Sequence, residues 1–395
     1  MERMQDYRIR SIDLLRGIVI IIMALDHVRI FFGFGTFFAV TADTSATTPL
    51  LFFTRWITHF CAPVFIFLAG ISAFLYGTRR RSTKALSWFL FTRGIWLLFV
   101  ELIFVNFAWT FDITLSYHIL QVIWAIGLCM ICIAGIVFLP RYIILAIGII
   151  LVFGHNLLDP IRTGGTSVID LIWYTLHQQQ LVLLGSDSAV NFVYPILPWI
   201  GLMALGYIIG TLYQKDFNEK KRRKWLLWVG ICSTLLFIGL RLFNIYGDPM
   251  NWSVQNSFIS SVISFLNPTK YPPSLLFLLM TMGPSLIILS IIEHSKNRLT
   301  DKIIIFGRVP LFFYVIHLYI IHILAIGAMI LTGQSCADFI LTKNVFFSES
   351  IADFGFSLLY VYLIWIFVII LMFPLCKWYD RYKTNNREKW LLTYL

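Results

Sequence analysis

Long apolar stretches separated by short polar ones dominate the chain. Runs of helical length fall at about 11–34, 50–76, 86–109, 116–139, 141–157, 193–213, 225–247, 273–292, 303–332 and 356–376. A helix needs about 20 apolar residues to cross a hydrocarbon layer of about 30 Å, so the pattern predicts ten transmembrane helices, the fifth of them short. The runs are too long for barrel strands and lack their two-residue alternation, so strands are not expected to span. The expected fold is therefore an all-α polytopic membrane protein.

Composition agrees with this reading and excludes a soluble globule. Of 395 residues, 59% are hydrophobic and only 13% charged, too little polar matter for a water-facing shell. The apolar runs extend from end to end without a soluble insert. A single transmembrane domain over 1–395 is expected, its last stretch, 377–395, being a basic tail. A cleaved signal peptide is the competing reading of the first run, but Asp13, Arg16, Asp26 and His27 interrupt it and no small-residue cleavage site follows.

Charge sets the expected orientation. Twenty-two of the 31 lysines and arginines fall in the two tails and the even-numbered connections, with three in the odd-numbered connections: Arg162, Lys270 and Lys343. Basic residues favour cytoplasmic loops, so both termini are expected in the cytoplasm and the site of action in the cell membrane. The net charge of +11 then belongs to topology and anionic lipid headgroups, and nucleic acid is not an expected partner.

Six arginines remain inside the runs, and their depths are not random. Arg16, Arg93 and Arg308 fall in the cytoplasmic halves of the first, third and ninth runs, whereas Arg29, Arg55 and Arg241 fall in outer halves. Most histidines lie in outer halves or ends, His27 and His59 among them, with His317 near mid-depth. Ionisable groups in a membrane are costly enough to point to function. In the first run Arg16 and His27 are separated by ten residues, which returns them to one helix face within about 20° and sets them about 16 Å apart along the axis.

This layering suits transfer across a membrane from a polyanionic donor. Guanidinium groups at the inner side would hold the phosphates of cytosolic acyl-CoA. The thin pantetheine arm would pass Arg16 and present its thioester near His27, a base for an acceptor arriving from outside. A purely structural role competes, in which the arginines snorkel or pair with Asp13, Asp26 and Glu101. Asp26 is about 100° around the helix from His27, so its expected partner is Arg29 or Arg55.

The same residues carry a resemblance. The Arg, ten residues, His arrangement of RSIDLLRGIVIIIMALDH resembles the first-helix motif of integral-membrane acyltransferases that modify envelope sugars. More of the chain resembles the bacterial membrane acyltransferase family related to heparan-α-glucosaminide N-acetyltransferase. The matching stretches are TRWITHFCAPVFIFLAG from Thr54, FTRGIWLLFVE from Phe91, YPILPWIGLMALGYIIG from Tyr194, NPTKYPPSLLFLLMTMGPS from Asn267 and FGRVPLFFYVIHLYIIH from Phe306. The resemblance implies an acetyl-CoA-dependent transferase. One departure matters: the lysosomal branch carries an amide where this chain has His27, with its essential histidine farther along. Either His27 or His59 is therefore open as the base, and His27 is preferred.

Other features refine the expectation. Arg55 and His59 stand at i and i+4 on one face, with Pro63 expected to bend the helix just below them, and are read as positioning the acceptor or polarising the thioester. Lys270 and Tyr271 open the eighth run next to two prolines and are read, with Asp26, as acceptor-side residues. The motif from Gly307 to Pro310 is expected to break the start of the ninth run and aim Arg308 inward. His317 and His322 are five apart, about 140° around a helix, and no metal site is expected. The six cysteines read as packing residues. Three outer loops, about 158–192, 248–272 and 333–355, are candidate lids.

The function expected is transfer of an acyl group, acetyl foremost, from acyl-CoA to a hydroxyl or amine of an extracytoplasmic sugar or glycan. A homodimer is left open. A secondary transporter is the alternative, with the buried charges lining a solute path.

Overall fold

The computed structural model describes residues 9–34, 48–344, 354–386, 388–389 and 392. The tail cations Arg3, Arg8 and Arg387 and the middle of the third candidate lid, residues 345–353, lie outside the described residues. Seven helical stretches among the described residues are long and apolar enough to cross a membrane: Pro49–Arg80, Thr83–Thr110, Arg141–Leu158, Glu219–Phe243, Leu275–His294, Pro310–Leu331 and Leu358–Asn385. Val122–Ile136 and Leu197–Tyr213 are apolar but shorter. The first run forms α1 (Arg10–Phe32), which is interrupted by Asp13, Arg16, Asp26 and Arg29 and buried along most of its length by its neighbours. Its charges face protein, where they can be paired, and pairing lowers the cost of burying them.

Glycines set how closely the helices pack. A Cβ on Gly307 of α13 (Arg298–Arg308) would stand 1.9 Å from the carbonyl oxygen of Asp13, and one on Gly17 would stand 2.2 Å from that of Ile303. The same backbone contact recurs where α3 (Cys61–Arg80) meets α9 (Leu197–Ile209), with Gly70 against Met203 and Gly206 against Phe67. Small residues are how membrane helices gain close van der Waals packing without a hydrophobic drive.

The second and ninth runs are each split. The second run begins as α2 (Pro49–Thr58) and breaks at His59 and Phe60, before α3. Pro63 thus sits in the first turn of α3, and the break falls four residues ahead of it, where its ring would meet the preceding carbonyl. The ninth run is divided at Val309, outside helical geometry, with Pro310 starting α14 (Pro310–Leu331).

Strands appear where the fourth run was expected to be helical from its start. β1 (Tyr117–Leu120) pairs in parallel with β3 (Ser188–Phe192), and β2 (Gln180–Leu184) pairs antiparallel with β3, in the order β1-β3-β2. The cause lies upstream. Continuing α4 (Thr83–Phe99), residues Val100–Val105 form a π-helical turn. There the buried carboxylate of Glu101 accepts the backbone N–H of Gln121 at 2.9 Å, and the side chain of Asn106 accepts that of Ile119 at 2.8 Å. These bonds satisfy the extended segment and deliver Gln121 and Val122 to the bundle interior, where α6 (Val122–Ile136) starts.

A second staple places Lys270 and Tyr271. Arg241, near the end of α10 (Glu219–Phe243), is 1% exposed and donates to the carbonyls of Met250 at 2.6 Å, Ser264 at 3.0 Å and Phe265 at 3.1 Å. It also faces Asp248 at 3.7 Å, which accepts from the backbone and hydroxyl of Thr269, both at 2.8 Å. The loop is thereby held over the bundle immediately before Lys270.

Candidate active site

Two cavities lie along α1. The larger, about 400 Å³, is lined at its polar parts by Arg16, Arg79, Arg93, Arg308 and Lys383, with Asp13 as the acidic residue among its described lining. Its walls are apolar, from Leu90, Leu97, Ile126 and Met130. The smaller, about 90 Å³, is lined by Asp26, His27, Lys270 and Tyr271 with Thr58, Trp109, Gln121 and Tyr194. Phe65, Val122 and Tyr314 belong to the walls of both, so the cavities meet at these three side chains.

The close α1–α13 contact builds the cationic end. Arg16 donates to Asp13 Oδ1 and to the Gly307 carbonyl, each at 3.2 Å, and to Ser72 Oγ at 3.0 Å. Arg308 approaches Asp13 at 4.0 Å and Asp380 of α15 (Leu358–Asn385) at 3.4 Å. Arg93 lies 6.0 Å from the centre of the Phe89 ring. Arg16, Arg93 and Arg308 come from three distant parts of the chain and converge on one wall system. Arg79 and Lys383, which sequence reading counted only as markers of orientation, join them. Nothing in local sequence separates them from neighbouring basic residues; only the helix directions turn them inward.

At the other end His27 is 8% exposed and lines the small chamber. Its Nδ1 is 2.7 Å from Nε2 of His317, whose Nδ1 is 2.7 Å from the Phe313 carbonyl oxygen. Trp109 and Tyr314 meet the His27 ring edge-on, with centroids 5.1 and 5.9 Å away. Asp26 accepts from Arg29 at 2.8 and 3.2 Å, leaving His27 without a carboxylate partner from its own neighbour. Lys270 lies 5.0 Å from the centre of the Tyr271 ring.

Of the acceptor-side and base candidates, His27, Asp26, Lys270 and Tyr271 gather in the small chamber; His59 and Arg55 line neither cavity. His59 is 3% exposed, packs on Phe277 at 5.5 Å, and has neither ring nitrogen hydrogen-bonded among the described residues. His317 is the residue sequence reading undervalued. The sequence places His317 near mid-depth and gives it a five-residue step from His322 that argues against a metal site, but nothing local marks it as a partner of His27. His322 instead lies between the carbonyls of Ala108 and Phe339, 2.9 Å from each. Among the described residues no group of three or more metal-ligating side chains is found.

The described helices form a bundle in which a cation-lined cavity meets an imidazole-bearing chamber. The family model for heparan-alpha-glucosaminide N-acetyltransferase, catalytic, matches residues 8–247, and the chain belongs to that family, whose activity is acyl transfer in the membrane. Comparison with curated proteins finds no match. The matched segment carries Arg16, Asp26, His27, Arg55, His59 and Arg93, while Lys270, Arg308 and His317 lie beyond it.

Proposed function

We propose that the protein transfers an acyl group, acetyl foremost, from cytosolic acyl-CoA to a hydroxyl or amine of an extracytoplasmic sugar or glycan, in the cell membrane and with both termini in the cytoplasm. The observation that carries this reading is the meeting of the two cavities at Phe65, Val122 and Tyr314. Arg16, Arg93 and Arg308 would hold the donor's phosphates, with Arg79 and Lys383 at the same end. Charge-assisted, bidentate-capable bonds are what guanidinium offers a phosphate. The pantetheine arm would lie between the apolar walls and bring the thioester to the shared constriction.

In the small chamber the acceptor oxygen or nitrogen attacks the thioester carbonyl carbon. A C–O or C–N bond forms and the C–S bond breaks. The acceptor's proton goes to His27 and from there to the departing CoA sulfur, so the enzyme ends as it began. Asp26, Lys270 and Tyr271 would orient the acceptor. His59 and Arg55, outside both cavities, would act through packing beside the chamber.

The test is acetyl-CoA binding and hydrolysis by the purified protein in lipid discs. His27→Ala should leave binding within a few-fold of wild type and lower thioester turnover by about 10²- to 10⁴-fold, the usual contribution of a general base. His59→Ala should change turnover far less. Absence of acetyl-CoA binding, together with solute uptake into proteoliposomes, would replace the transferase by a carrier.

A further inference from the structure

The hydrogen bonds of His317 decide which nitrogen of His27 is free. A carbonyl oxygen only accepts, so the 2.7 Å contact with Phe313 requires a hydrogen on Nδ1 of His317. A neutral His317 then presents a lone pair at Nε2. That lone pair faces Nδ1 of His27 at 2.7 Å, and two lone pairs cannot face one another at that distance. Nδ1 of His27 therefore carries the hydrogen, and its Nε2 is left with a lone pair on the opposite edge of a ring that lines the chamber.

The reverse assignment fails on the same geometry. A hydrogen on Nε2 of neutral His317 would turn the lone pair of its Nδ1 onto the Phe313 oxygen. A doubly protonated His317 would be a charge at 0% exposure, between the rings of Phe313 and Tyr314, with no carboxylate bonded to it among the described residues. Phe313 is itself held in α14, four residues before His317. A helix carbonyl thus sets the tautomer of one histidine, and that histidine sets the tautomer of the next.

We propose that His317 is a positioning residue, which through its bond to the Phe313 carbonyl holds His27 in the tautomer whose Nε2 accepts the acceptor's proton. The inference rests on the reading of His27 as the base. Protonation at Nε2 leaves the Nδ1–H bond to His317 intact, so the proton is taken up with no change of ring orientation. The rings of Trp109 and Tyr314, packed at steep angles against that of His27, oppose a ring flip.

Two variants and one spectrum test it. Gln at 317 keeps an acceptor near the Nε2 position and a donor for the carbonyl, whereas Leu keeps bulk alone. His317→Gln should hold acetyl-transfer kcat within about tenfold of wild type. His317→Leu should lose about 10²-fold or more in kcat at an unchanged KM for acetyl-CoA, the loss expected when a base sits in the wrong tautomer. A purely structural role would instead move KM, kcat and thermal stability together and would not be rescued by Gln. Nitrogen-15 spectra of the histidine-labelled wild type, assigned with His27→Gln, should show His27 protonated at Nδ1 and bare at Nε2 at neutral pH. A His27 protonated at Nε2, or full kcat in His317→Leu, overturns the proposal. If His27→Ala keeps transfer activity, the base assignment falls, while the spectrum still decides the tautomer on its own.

Discussion

Arg16 has two duties that one experiment can separate. It is bonded to Asp13, Gly307 and Ser72, and it lines the cationic cavity. The side chains of the Arg16–Asp13 pair are 15% and 12% exposed, so the pair is largely removed from water. In Arg16→Gln, Arg308 at 4.0 Å is a cation still within reach of Asp13 among the described residues. Removing one partner of a buried pair costs about 3–5 kcal/mol, and the lower end applies here because Arg308 compensates in part. The companion change Asp13→Asn removes the buried carboxylate charge that Arg16 had paired, so Asp13→Asn/Arg16→Gln should recover most of the lost stability, a coupling expected for residues in contact. Donor affinity should behave differently. A charge-assisted hydrogen bond contributes about 1.5–3 kcal/mol, or about 10- to 150-fold in acetyl-CoA affinity, and the double variant cannot restore it. Thermal unfolding in lipid discs and calorimetric titration with acetyl-CoA read the two quantities on the same samples. Recovery of both stability and affinity in the double variant would refute a donor-binding role and leave Arg16 a packing residue.

Three further outcomes are expected. Val122→Trp, at the wall common to both cavities, should lower acetyl-transfer kcat/KM by at least tenfold while leaving affinity for 3′-phospho-ADP unchanged, because on the proposed route the pantetheine arm alone would enter the constriction; equal losses in both would place Val122 outside the donor's route. Gly307→Ala sets a Cβ against the Asp13 carbonyl, backbone against backbone, so α1 and α13 must part; a loss of about 1–3 kcal/mol is expected in thermal unfolding, together with weaker acetyl-CoA binding as the Arg16–Gly307 bond breaks. Asp112, in the connection before β1, is held below the ordinary carboxylate value of 3.8: burial pushes it up, but hydrogen bonds from Ser116 and Thr114 more than offset this. A depressed value means that stabilisation is complete above 3.8 and is lost as pH falls below it, so hydrogen exchange over 112–120 and 180–192 should quicken on acidification in wild type and be fast and insensitive to that step in Asp112→Asn.

Much of this protein was legible in one dimension. Apolar runs of membrane length, their placement relative to basic loops, and the eleven-residue step from Arg16 to His27 follow from the helical repeat and the cost of burying charge. Those regularities act within single segments, so composition and spacing suffice to read them. What only tertiary structure decided is everything that depends on two segments meeting. Gly17 and Gly307 bring α1 against α13, which turns Arg308 onto the same cavity as Arg16. Glu101 and Asn106 hold an extended strand where hydropathy alone reads helix, and so deliver Val122 to the constriction. His317, 290 positions from His27, becomes its hydrogen-bond partner, while His59, only 32 positions away, is packed against Phe277 outside the chamber. The periodicity of a helix tells which face a residue occupies; which other helix covers that face depends on backbone approach and paired polar groups far apart in the chain.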